Sequence, residues 1–157
     1  MKKVLFVILS LASCFAVLAQ QVQKEMPGVE DVLLSKILSG TLFTENKEQK
    51  IGDLQWNPHA TFNGVYLKHL ITGEDTDNRL SCHIVKIEPG CVLDTHLHDG
   101  KIEIHEVVAG SGKMYLDGKE IDYTVGQICL IPANVSHKVV AGKDGIYILA
   151  KFTPALL

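Results

Sequence analysis

Residues 90–110 read GCVLDTHLHDGKIEIHEVVAG, and the rest of the chain is best interpreted outward from this stretch. Gly90 is followed after five residues by His96, then by His98, after four more by Glu103 and after six more by Gly110. Side chains alternate along a strand, so histidines at i and i+2 leave it on the same face. Asp99-Gly100-Lys101 reads as a short turn, after which Glu103 arrives from the next strand and approaches that face. Two imidazoles and a carboxylate converging inside a β structure form half of a metal site. Glu106 has the opposite parity and is set aside in favour of Glu103.

The flanking sequence has the rhythm that such a site requires. From Asp53 onward, turn signals recur about every eight to twelve residues: Asn63-Gly64, Thr72-Gly73, Pro89-Gly90, Gly110-Ser111-Gly112, Asp117-Gly118, Gly126 and Asp144-Gly145. Between them lie β-like runs at 65–71, 80–87, 102–108, 113–116, 120–124, 128–131, 137–140 and 146–152. Asp117-Gly118 supplies the positive φ angles of a tight type I′ hairpin. Many short strands without long helices predict an all-β sandwich or barrel. One short helix precedes it: Val29–Leu38 carries an apolar stripe at helical spacing, and Gly40 follows where a helix would stop. Residues 44–50 are polar and read as loop.

A second cluster completes the first. Gly126 is followed after five residues by Pro132, then Ala133-Asn134, then after two more by His137. Together the two segments resemble the paired motifs of the cupin superfamily, G-x5-HxH-x4-E-x6-G and G-x5-PxG-x2-H-x3-N. The first matches at every defined position. The second departs twice, with Asn134 where Gly is usual and Ala141 where Asn is usual. Asn is the non-glycine residue most at ease in the left-handed region, so Asn134 can keep the turn.

The resemblance spans roughly residues 65–152 and implies a double-stranded β-helix, the cupin jelly-roll barrel. It also implies that His96, His98, Glu103 and His137 bind one divalent metal. Three imidazoles and a carboxylate suit Fe, Mn, Ni, Cu or Zn, and four protein ligands leave positions free for water or a small molecule. In the wider superfamily this ligand set serves dioxygenation, isomerisation and decarboxylation. The expected function is therefore an exported metal-dependent enzyme acting on a small-molecule substrate. The alternative is a non-catalytic cupin that binds a small molecule or metal. A homodimer is expected, with residues 41–57 available to lend a strand to a partner.

The chain has seven histidines, an unusual number for its size. His105 shares the parity of Glu103, which places it inside the barrel either as an acid or base beside the metal or as a hydrogen-bonded core residue. His83 is expected at the surface, and His59 and His69 as structural residues. Trp56 is expected at the barrel end or a subunit contact.

The first nineteen residues read as an address. Met1-Lys2-Lys3 is a basic start, Val4 to Leu18 is mostly apolar, and Val17-Leu18-Ala19 precedes the polar Gln20-Gln21-Val22-Gln23. That is the pattern of a signal peptide cut after Ala19, for a periplasmic or secreted protein without a membrane span after cleavage. Leu11-Ala12-Ser13-Cys14 offers a rival, a lipoprotein anchored at Cys14. Residues 20–52 then form a leader with the short helix, and 53–157 the barrel domain. Cys82, Cys91 and Cys129 remain, each among apolar neighbours, and read as small buried hydrophobes. The chain is 46% hydrophobic with a net charge of −3, which becomes −5 once Lys2 and Lys3 leave. Without a basic cluster beyond those lysines, and with 6% aromatic residues, a nucleic-acid partner is not expected.

Overall fold

Helix α1 (Val29–Leu38) leads into ten strands: β1 (Thr41–Thr44), β2 (Lys47–Lys50), β3 (Asn57–Pro58), β4 (Val65–Ile71), β5 (Ser81–Ile87), β6 (Val92–His96), β7 (Ile102–Leu116), β8 (Lys119–Thr124), β9 (Ile128–Ile131) and β10 (His137–Thr153). This is a computed structural model that describes residues 29–157; residues 1–19, read above as a signal peptide, Cys14 and the rest of the leader to residue 28 lie outside the described residues.

Two long strands organise the barrel. The second half of β10 (146–153) pairs with β5 and with the first half of β7, and that half of β7 also pairs with β9. The first half of β10 (137–141) pairs with β6 and with the second half of β7, which also pairs with β8. One layer is therefore β3-β4-β5-β10-β7-β9 and the other β6-β10-β7-β8, with β7 and β10 shared between them. This is a jelly roll, preceded by the short helix.

The sequence reading broke both long strands in two, at Gly110-Ser111-Gly112 and at Asp144-Gly145. Those glycines instead mark where continuous strands bend from one layer into the other. A Cβ on Gly110 would lie 2.2 Å from the Gly145 carbonyl oxygen, and one on Gly112 would lie 2.4 Å from that of Val140. Gly110 also has φ +71°, so only glycine lets the two backbones touch at this corner.

The interior is aliphatic along most of its length. Val85, Ile87, Val107, Ile146 and Ile148 are all buried in one cluster, each contributing about 1.5–3 kcal/mol by leaving water. The outer face of the β4-β5-β10 region is also covered, by the segment before the barrel. Ile84 is completely buried there, and the buried Lys68 donates to the carbonyls of Ile51 (3.2 Å), Gly52 (3.3 Å) and Leu54. Trp56 lies on this same face, edge-on to Tyr147 with Lys68 over its ring, rather than at a barrel end. Residues 44–50, read as loop, belong to a β1-β2 hairpin in which Thr41 pairs with Lys50. The strand expected to be lent to a partner is thus used locally. Residues 44–50 are polar on both faces, which is why periodicity did not reveal β2. Among the described residues no helix is long and apolar enough to cross a membrane.

Candidate metal centre

Four elements bring the expected ligands together. His96 ends β6 and sits opposite His137, the first residue of β10, in the ladder between those strands. Their rings are 4.2 Å apart, centre to centre. His98 follows two residues later in the connecting loop, and Glu103 is the second residue of β7, paired with Phe152 and Ile131. Ligand atoms of His96, His98 and His137 lie within 4.8 Å of one another, close enough to hold one ion. Glu103 stands beside that set, with Oε2 3.3 Å from His98 Nε2 and 3.1 Å from His137 Nε2.

Hydrogen bonding prepares these groups for a cation. His96 Nδ1 lies 2.7 Å from the carbonyl of Asp94, and His137 Nδ1 lies 3.1 Å from that of Val135. A carbonyl only accepts, so each Nδ1 carries the proton, and in the neutral ring Nε2 is left as a bare lone pair. Burial pulls the His96 pKa down to about 4, further lowered by His137 and His98 and opposed by the Asp94 bond, so this ring is neutral near pH 7. His137 Nε2 and Glu103 Oε2 are both buried and have no hydrogen-bond partner. Two lone pairs 3.1 Å apart with no proton between them repel unless a cation lies there. The residues present therefore fit a divalent metal.

The other carboxylate oxygen is held from behind. His105 Nε2 donates to Glu103 Oε1 at 2.7 Å, and its Nδ1 then accepts from the Tyr123 hydroxyl at 3.0 Å. Burial alone would raise the Glu103 pKa, but the hydrogen bond donated by His105 holds it well below the usual carboxylate range. Burial and then Cys129 push Tyr123 upward, which keeps its hydroxyl a donor. His105 is inside the barrel, with both nitrogens committed to this chain of contacts. Tyr123 was not singled out from the sequence. The Asp117-Gly118 hairpin register places it opposite Gly112, which was legible, but its reach to His105 depends on the bend in β7.

Several other residues fall differently from expectation. His83 is completely buried, not at the surface, with Nε2 2.9 Å from Ser81 Oγ and Nδ1 3.0 Å from His69 Nδ1. Strand β5 is covered on both faces, so its side chains offer no alternation from which exposure could be read. Phe152 separates the two histidine groups, its ring 4.9 Å from His98 and 5.8 Å from His83. His59 accepts the backbone N–H groups of Thr61 and Phe62 and stacks on Phe62, whose ring is 5.8 Å from His96. Glu106 points the other way and pairs with Lys151. Cys82, Cys91 and Cys129 are free thiols, and burial pushes Cys82 up to about 11.

Comparison with known proteins agrees with this fold. The cupin-domain family model matches residues 83–149, and an RmlC-like cupin from Shewanella frigidimarina superposes with a TM-score of 0.58. Residues 83–149 of this chain are a cupin domain. The Shewanella protein is 20% identical over 67% of this cupin and 87% of its own length. A Thermotoga maritima structure described as a predicted oxalate decarboxylase superposes with a TM-score of 0.61, at 23% identity over 66% of this cupin and 96% of that chain. KdgF from Halomonas sp. superposes at 0.58, 22% identical, over 66% and 88%. In sequence, this cupin is 28% identical to an oxalate-binding protein of Thermotoga maritima over 76 residues, which are 48% of its own chain and 63% of the relative's.

Proposed function

We propose that this cupin is an exported, metal-dependent enzyme acting on a small carboxylate, with oxalate the first candidate and decarboxylation the reaction. The observation that carries the reading is the pair of unpartnered buried lone pairs, Glu103 Oε2 and His137 Nε2, set beside His96 and His98. These four residues would hold a divalent Fe, Mn, Ni, Cu or Zn ion. Such an ion supplies Lewis acidity that polarises a carboxylate and stabilises charge developing on it. His105 fixes the Glu103 carboxylate through Oε1, and Tyr123 fixes His105. Phe152 and Phe62 flank His98 and His96 with apolar rings that exclude water from one side of each. The oxalate-related names of the Thermotoga maritima matches in sequence and in structure support the substrate class.

Titrating oxalate into the metal-loaded protein by calorimetry, with carbon dioxide release followed in parallel, tests the proposal. Saturable binding with carbon dioxide release is the expected result. Binding without release would favour the second reading, a non-catalytic binding cupin, for which the name of the oxalate-binding relative speaks. No binding would remove oxalate as the substrate. Export rests on the character of residues 1–19, and the intact mass of the mature chain distinguishes a start at Gln20 from a lipidated Cys14. A homodimer is supported by the apolar outer face of β9, where Ile128 and Leu130 are 71% and 59% exposed. Light scattering at one chain's mass would exclude it.

A further inference from the structure

We infer that Asn134 is a positioning residue that locks the turn between His98 and Glu103 against the loop that delivers His137. The inference rests on the metal-centre reading above and concerns a position where the cupin motif usually has glycine. Asn134 has φ +66°, the left-handed conformation a glycine would adopt at no cost. Its side chain does something a glycine cannot. Asn134 Oδ1 accepts the backbone N–H of Gly100 at 3.1 Å, while its own N–H donates to the His98 carbonyl at 3.1 Å.

Those two bonds grip the first half of the connecting turn. One acts on the backbone of a ligand, His98. The other acts on Gly100, three residues before Glu103 and itself at φ +65°. Asn134 in turn lies three residues before His137, and the Val135 N–H to Pro132 carbonyl bond (3.2 Å) closes its own loop. One residue thus connects the backbones that carry three of the four proposed ligands. The main-chain bond would survive any substitution that kept the turn. The bond to Gly100 needs a side-chain acceptor at this position.

Asn134→Gly removes only the side-chain acceptor and suits the backbone conformation, and Asn134→Asp keeps the acceptor. The measurements are the Co²⁺ dissociation constant, read from visible absorption, and the exchange rate of the Gly100 amide by NMR, both on residues 20–157. Asn134→Gly should bind Co²⁺ about tenfold more weakly and exchange the Gly100 amide about tenfold faster, the factor expected for losing one net hydrogen bond. Asn134→Asp should restore both to within about threefold. A general loss of stability would lower the melting temperature of both variants together and would not be rescued by Asp. Equal Co²⁺ affinity in wild type and Asn134→Gly would overturn the positioning role, as would unchanged Gly100 exchange. Failure of the wild type itself to take up Co²⁺ would overturn the metal-centre reading, and this inference with it.

Discussion

Glu103→Gln should have opposite consequences with and without metal, and the reason is local. In the metal-free protein with His137 neutral, Glu103 Oε2 faces the lone pair of His137 Nε2 at 3.1 Å. A glutamine amide can donate there, which contributes about 1 kcal/mol. The bond from His105 to the other oxygen survives but loses its charge assistance, which costs about 1 kcal/mol. The metal-free variant should therefore match wild type within about 1 kcal/mol, although a residue only 3% exposed has been changed. Metal changes the comparison. At a concentration one hundred times the wild-type dissociation constant, binding stabilises the fold by about 2.7 kcal/mol. If losing the carboxylate weakens affinity about a hundredfold, the variant gains only about 0.4 kcal/mol at that concentration. With roughly 4 °C per kcal/mol for a domain of this size, the rise on adding Zn²⁺ should be about 10 °C for wild type and about 2 °C for Glu103→Gln. Paired thermal melts of chelated and metal-loaded protein read this directly. Equal metal-induced shifts would refute Glu103 as a ligand. A metal-free variant destabilised by more than about 3 kcal/mol would refute the picture of facing lone pairs.

Three further outcomes follow from the same structure. Tyr123→Phe leaves His105 Nδ1 without its partner, and should weaken Co²⁺ binding about tenfold with little change in secondary structure by circular dichroism. Gly110→Ala should cost at least about 3 kcal/mol in urea denaturation, because its Cβ meets the Gly145 carbonyl, whereas Gly118→Ala, also at positive φ but with open space around it, should cost about 1 kcal/mol. His83, drawn by burial and then by His69 down to about 4, is neutral in the fold while the unfolded chain takes up its proton near pH 6.5. The unfolded state therefore binds more protons between those values, and stability falls as pH drops from about 6.5 to about 4, by up to about 3 kcal/mol. Urea midpoints across that window should show a shallower fall in His83→Gln, and an unchanged slope would exclude His83 as a source.

The proposed ligands were legible because their spacing follows from local geometry. His96, His98 and Glu103 are separated by a single turn, and it is the resemblance to the second cupin motif that adds the distant His137 to them. The character of His83 and Tyr123 was not legible in the same way. His83 lies on a strand buried on both faces, where polar and apolar positions no longer alternate. Tyr123 reaches His105 only because β7 passes from one layer to the other at Gly110.

The sequence by itself determined that the chain is a barrel of β-strands, that a helix precedes it, and which side chains to look for at the proposed centre. Each of these depends on periodicity, turn chemistry or residue spacing, which are properties of neighbours along the chain. The tertiary structure alone decided that the glycine pairs are corners in continuous strands rather than breaks. It also decided that the N-terminal segment covers the outer face of the sheet, and that Glu103 is held from behind by His105 and Tyr123. Those outcomes depend on which distant backbones touch, and packing in three dimensions is what sets them.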